Sequence, residues 1–211
     1  MAHVIAPHRL DPDRSAVFLV DLQEKLCPAI PEIDEVINRS IVLTKACDEL
    51  GIPRSATVQY PEGLGELTEQ LNDHYPNPHA KLDFSAAVCR EPIEQWAAQG
   101  RDQILLIGIE THICITQTAL DLCAEGKNPI VVIDLVASRN KQDHLAGIER
   151  LRNLGIQIVS LESVLFEWLG SSRHPRFRVI SGLVKAMNRS STGNEGNGNQ
   201  ANTMNPTSPS E

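Results

Sequence analysis

The chain has 211 residues, 41% apolar and 22% charged, with a formal net charge of -8 and a pI near 5.4 at a mean hydropathy of -0.19. That length suits one domain, or one domain and a tail, with a sizeable core, and the acidic balance argues against a nucleic-acid binder, which usually carries a basic face. No stretch approaches the ~20 apolar residues of a membrane span, no apolar leader opens the chain, and five cysteines without a CxxC pair fit reduced thiols in a cytoplasmic protein, not a disulfide framework or a zinc cluster.

Five apolar, β-branched-rich runs read as strands in chain order: AVFLVD (16–21), ATVQY (56–60), QILLIG (103–108), IVVID (130–134) and IQIVS (156–160). Most are apolar almost without alternation, as strands buried on both faces of a parallel sheet are. A sixth, short strand is placed near 80–84. Between the strands lie helical patterns. In 33–50, Val36, Leu43, Cys47 and Leu50 share a face and Gly51 ends the helix; in 91–100, Pro92 sits in the first turn; in 142–154, Leu145, Ile148 and Leu151 recur before Gly155. Alternating strands and helices predict an α/β fold: a single three-layer α/β/α domain over 1–188 with a Rossmann-like, doubly wound, mostly parallel six-stranded sheet. Residues 189–211 hold five Asn, two Pro and almost nothing apolar, so a disordered tail is expected there. Just before it, Phe177, Ile180, Leu183 and Val184 give an amphipathic segment that packs either on its own core or on a second copy. No GxGxxG and no P-loop is present.

Ligands of such sheets bind beyond the carboxyl ends of the strands. Asp21 ends the first strand, and Cys114, in GIETHICITQTAL, opens the helix after QILLIG; Lys81 lies in PHAKLDFSA. Taken singly, each has a plainer reading: a small buried hydrophobe, a helix cap, a solvated surface charge. Together they form a coherent site. A helix start and a nearby ammonium would lower the thiol pKa, a carboxylate would take the thiol proton, and free N–H groups at the helix start would meet a developing oxyanion.

FLVDLQEKL, HAKLDFSA and LLIGIETHICITQTALDL resemble, in order, the three stations of the isochorismatase-like cysteine hydrolase family, and the likeness spans about 14–187. QYPEGLG, ASRNKQDHLAGIERLRNLGIQIVSLESVLFEWL and RHPRFRVISGLVK resemble its isochorismatase-domain-containing branch. The resemblance implies Asp21 as general base, Lys81 as stabilising cation and Cys114 as nucleophile. It also implies a cis peptide at Ile109–Glu110 and an oxyanion hole from the backbone N–H groups of Glu110 and Cys114. The nicotinamidase branch carries histidines after its second strand as a metal site; here that place reads VQYPEGLGEL, so no metal and no cofactor is expected. Gln23, Gln59, His112 and Ser138 stand near strand ends as candidate substrate contacts. Trp96, Trp168 and Cys123 are expected in the core. The resulting expectation is a cysteine hydrolase of a small-molecule substrate, cleaving an amide-type C–N bond through a covalent intermediate, with self-association into a homo-oligomer. A catalytically silent interaction protein of the same fold and a redox-responsive thiol protein are the rivals.

Overall fold

The structure, a computed structural model, describes residues 6–192. Six strands run β1 Ser15–Val20, β2 Arg54–Gln59, β3 His79–Lys81, β4 Gln103–Ile109, β5 Asn128–Ala137 and β6 Gln157–Val159. They form one sheet in the order β3-β2-β1-β4-β5-β6, and every pairing is parallel. The helices are α1 Ile33–Leu50, the short α2 Pro61–Leu64 and α3 Glu69–Asn72, then α4 Arg90–Ala98, α5 Thr116–Ala124, α6 Lys141–Asn153, α7 Leu161–Leu169 and α8 Phe177–Thr192.

Both sheet faces are covered, which explains the unbroken apolar runs. Along β1, Val17 and Leu19 enter one core with α1, α7 and α8 residues. Ala16, Phe18 and Val20 enter the other, with α4, α5 and α6 residues. Because side chains alternate along a strand, only a sheet buried twice leaves no polar position in such a run. Trp96 packs edge-on to Phe18 at 5.4 Å between ring centroids, and the buried Trp168 donates its indole N–H to Ser15 Oγ at 2.9 Å.

Several expectations shift by physical cause. β5 is longer than the apolar run because the strand bulges: Leu106 pairs with Val131, yet Gly108 pairs with Val136. The bulge frees Asp134 to accept from Arg39 at 2.8 Å and from the Leu161 N–H at 2.8 Å. Leu145 is not a core residue but is exposed, and so is Cys123. A spacing argument places residues on a helix face but does not say how far that face is covered. α8 lays Ile180 and Val184 into the chain's own core, with Phe177 and Leu183 packed beside them. It carries the described chain through Thr192, past the expected tail boundary at 189; residues 193–211 lie outside the described residues. No helix among the described residues is long and apolar enough to cross a membrane.

The sheet order reverses between β1 and β4: the chain leaves β1 toward β2, and leaves β4 toward β5 on the other side. A crevice opens at such a switch point beyond the carboxyl ends. Gly108 lets the two strands close there. A Cβ on it would stand 2.0 Å from the carbonyl oxygen of Val20, and its φ is +124°.

Candidate active site

Asp21 follows directly on β1, Lys81 ends β3, and Cys114 follows β4, so the three expected residues meet at the switch point. Lys81 Nζ lies 2.7 Å from Asp21 Oδ2, and the two side chains are 0% and 1% exposed. The ammonium also donates to Gln59 Oε1 at 2.7 Å and approaches the carbonyls of Asp83 and Phe84, both at 3.2 Å. An ammonium has three N–H groups, so protein acceptors consume them all. Lys81 therefore acts by charge and position, with no proton left for a ligand.

Asp21 is held on its other oxygen as well: Thr57 Oγ1 donates to Oδ1 at 2.8 Å. Its backbone is in the left-handed region, φ +58°, which a non-glycine residue keeps only when its surroundings hold it. Thr57 went unremarked in the sequence. Its one signal is period two: it shares a strand face with Gln59.

Cys114 sits in a π-helical turn, Thr111–Ile115, that runs on into α5. The expectation placed it in the first turn of an α-helix; a π-turn is the wider variant often found at functional sites. Thr118 Oγ1 donates to the Cys114 carbonyl at 2.6 Å and accepts the Ala86 N–H at 2.8 Å, tying the turn to the loop after Lys81. No cis peptide occurs among the described residues, so Ile109–Glu110 is trans, against the expectation; the chain turns instead through Glu110 at φ +56°. Glu110 is buried. Arg139 Nε lies 2.6 Å from its Oε1, close enough for an ion pair, but neither carboxylate oxygen meets a donor at a hydrogen-bonding angle among the described residues. Gly147 of α6 packs on this turn, where a Cβ would come 3.0 Å from His112 Cα.

The thiol electrostatics overturn one expectation. Burial pushes the Cys114 thiol up to about 12; the Asp21 charge and hydrogen bond and the Glu110 charge push the same way, and only Lys81 pulls down. Desolvation outweighs the helix start and the cation. Cys114 therefore rests as a protonated thiol beside the Asp21 carboxylate.

The candidate substrate contacts divide. Gln23 is fully buried; its amide donates to the carbonyls of Gln59 and Gly65 at 2.9 and 2.7 Å and accepts the Gln59 N–H at 2.7 Å. Gln59 spends its side chain on Lys81 and on the Leu82 carbonyl, 2.7 Å away. Gln59 thus holds Lys81, and Gln23 holds the Gln59 backbone. His112 Nδ1 and Ser138 Oγ bond each other at 3.1 Å. Ser138 lines a cavity of about 420 Å³ at the carboxyl end of β5, with Arg39, Asp134, Lys141 and His144. His144 bonds Thr111 Oγ1 at 2.9 Å; burial, then the neighbouring His112, holds its imidazole below the usual range.

The isochorismatase-domain family model matches residues 15–163, a span that contains Asp21, Lys81 and Cys114. The chain belongs to the isochorismatase family. Isochorismatase domain-containing protein 2A of Mus musculus is 36% identical over 180 residues, covering 84% of this chain and 85% of that one. Isochorismatase family protein 1B of Dictyostelium discoideum is 32% identical, covering 84% and 89%. Among solved structures, the MAR1 ribonuclease of Caenorhabditis elegans superposes with a TM-score of 0.78 at 33% identity, covering 84% of this chain and 92% of that one. YcaC of Pseudomonas aeruginosa, with a TM-score of 0.77 at 23% identity over 91% of this chain and all of that one, shares the fold. Isochorismatase-like proteins are generally hydrolytic, and the Asp–Lys–Cys arrangement lies where this fold binds its ligands.

Proposed function

We propose that the chain is a cysteine hydrolase that cleaves an amide-type C–N bond of a small substrate through a thioester on Cys114. The observation that carries this reading is a buried thiol beside a carboxylate that Lys81 locks in place. As Sγ attacks the carbonyl carbon, Asp21 takes the thiol proton, so a reactive thiolate forms only when an electrophile is present. The resulting oxyanion is met by backbone N–H groups of the turn that carries Cys114. Collapse breaks the C–N bond, and the proton held on Asp21 leaves with the amine. Water then attacks the thioester, Asp21 accepts its proton, and the carboxylic acid departs as the proton returns to sulfur.

Lys81, 2.7 Å from Asp21, balances the carboxylate's charge throughout. No step calls on a metal or cofactor. A nuclease activity, which the description of the Caenorhabditis relative would bring to mind, fits poorly with a net charge of -8, because a polyanionic substrate favours a basic surface.

A panel of small primary amides, ureides and matched esters tests the proposal, with ammonia release and intact mass as readouts. Wild type should release ammonia from at least one amide and pass through an acyl adduct on Cys114. Cys114→Ala should be inactive, and Asp21→Asn should lose about 10²–10⁴ in rate. Turnover that survives Cys114→Ala would overturn the mechanism. Inertness toward every class would favour the catalytically silent rival.

A further inference from the structure

We infer that Thr57 is a positioning residue for the base: its hydroxyl holds Asp21 in the orientation that receives the thiol proton. The inference rests on the cysteine-hydrolase reading and adds to it a residue outside the triad.

Thr57 grips Asp21 at two points. Its carbonyl accepts the Asp21 N–H at 3.2 Å, and its Oγ1 donates to Oδ1 at 2.8 Å. The first contact follows from the parallel register that pairs Val20 with Thr57. The second does not follow from the sheet; it needs a hydroxyl on that face of β2. Together they hold a non-glycine residue at φ +58° in a fully buried place. Two residues further along the same face, Gln59 does for Lys81 what Thr57 does for Asp21, accepting from the ammonium at 2.7 Å. Strand β2 thus supports both partners of the ion pair from behind.

The chemistry gives the hydroxyl a measurable consequence. A donor on a carboxylate stabilises its anionic form and lowers its affinity for a proton. Without the hydroxyl, negative charge on the Asp21–Cys114 pair is less well stabilised and the thiol ionises less readily. The charged groups acting on the thiol are Asp21, Lys81 and Glu110, and the substitutions below leave Lys81 and Glu110 untouched. A threonine that merely fills space predicts no change, because valine fills the same space.

The test is the rate of Cys114 alkylation by iodoacetamide at pH 8, read by peptide mapping with the exposed Cys123 as internal reference, and it needs no substrate. Thr57→Val should slow labelling of Cys114 about three- to tenfold, and Thr57→Ser should restore it to within about twofold, since it keeps the O–H donor. Thr57→Cys, a weaker donor of similar size, should fall between and serves if the valine variant does not fold. Asp21→Asn should accelerate labelling, because it removes the charge that opposes the thiolate. If Thr57→Val and Thr57→Cys label like wild type while Asp21→Asn labels faster, Thr57 is only packing and the inference falls alone. If Asp21→Asn changes nothing, the carboxylate does not govern the thiol, and the hydrolase reading falls with it.

Discussion

Two ion pairs stand on the carboxyl edge of the same sheet at nearly the same distance. Lys81 and Asp21, beyond β3 and β1, are 2.7 Å apart with side chains 0% and 1% exposed. Arg39 and Asp134, beside the open cavity at β5, are 2.8 Å apart with side chains 25% and 22% exposed. The distance says little about what each pair does. The partly exposed pair keeps some of its hydration and contributes about 1 kcal/mol or less. The buried pair has lost its hydration, so its attraction roughly offsets a desolvation cost and makes it a poor stabiliser compared with packed hydrocarbon. A poor stabiliser, completed by Thr57, Gln59 and two carbonyls and set on a strained backbone, is what a reactive centre looks like.

Removing one partner from each pair should separate them most widely. Lys81→Met leaves the Asp21 carboxylate buried without a cation and should cost about 3–5 kcal/mol. Arg39→Met leaves Asp134 with water access and the Leu161 N–H, and should cost under about 1 kcal/mol. Urea unfolding measures both, and equal losses would break the contrast. Replacing both partners of the buried pair, Asp21→Leu with Lys81→Met, should recover much of the loss while leaving the protein inactive.

Closing the strand seam comes next. Gly108→Ala would put a methyl group where the Val20 carbonyl now lies, at a φ that only glycine adopts freely. A loss of about 2–4 kcal/mol is expected from overpacking and strain together. The β1–β4 seam that seats Asp21 and Cys114 must shift, so activity should fall further than stability predicts.

The sheet and its switch point were legible because they rest on period and burial. Apolar runs such as AVFLVD announce strands covered twice, and Asp21 and Cys114 fall at strand ends whatever the loops do. The details of the site depend on long-range register, which local sequence does not carry. Thr57 faces Asp21 only because β2 pairs with β1 as it does, and the Gln23 side chain folds onto the Gln59 backbone while Gln59 turns to Lys81 and the Leu82 carbonyl instead of lining open space. The thiol acidity was misjudged for a related reason. A helix start and a nearby lysine are visible in the sequence, whereas the depth of burial that outweighs them is a property of the packed molecule.

That depth makes an alkaline prediction with a definite sign. Burial raises the Cys114 thiol from its ordinary value near 9 to about 12, the fully buried Cys47 likewise to about 12, and Cys27 to about 11. Well below pH 8 folded and unfolded thiols are all protonated, so they add no pH dependence. Between about pH 8 and 12 the unfolded chain gives up protons that the native state keeps, and stability falls as pH rises. Urea midpoints at pH 8, 9 and 10 should decline, and Cys114→Ala should flatten part of that slope. At pH 7 the exposed Cys123 should be alkylated before Cys114. Labelling of Cys114 should climb about tenfold per pH unit up to pH 10 with no plateau, since its thiolate is a minor form throughout. A plateau near neutrality would mean a resting thiolate and a different division of labour between Asp21 and Lys81.

The smallest effect is expected beside the open cavity, on α6. Leu145 and Ile148 stand one turn apart in a helix whose spacing alone treats them alike. Ile148 is buried at 2% exposure and Leu145 stands at 55%, on the wall of the cavity that Ser138 and His144 share. Ile148→Ala should cost about 2–4 kcal/mol through lost transfer energy and the cavity left behind. Leu145→Ala should stay within about 0.5 kcal/mol, because it removes surface already in water. A Leu145→Ala loss of 2 kcal/mol or more in dilute protein (about the scale of a buried leucine) would mean that the side chain is covered in solution. Light scattering would then show whether a second copy covers it: an assembly that Leu145→Ala dissociates would place part of a subunit interface at the mouth of this cavity, next to the turn that carries Cys114.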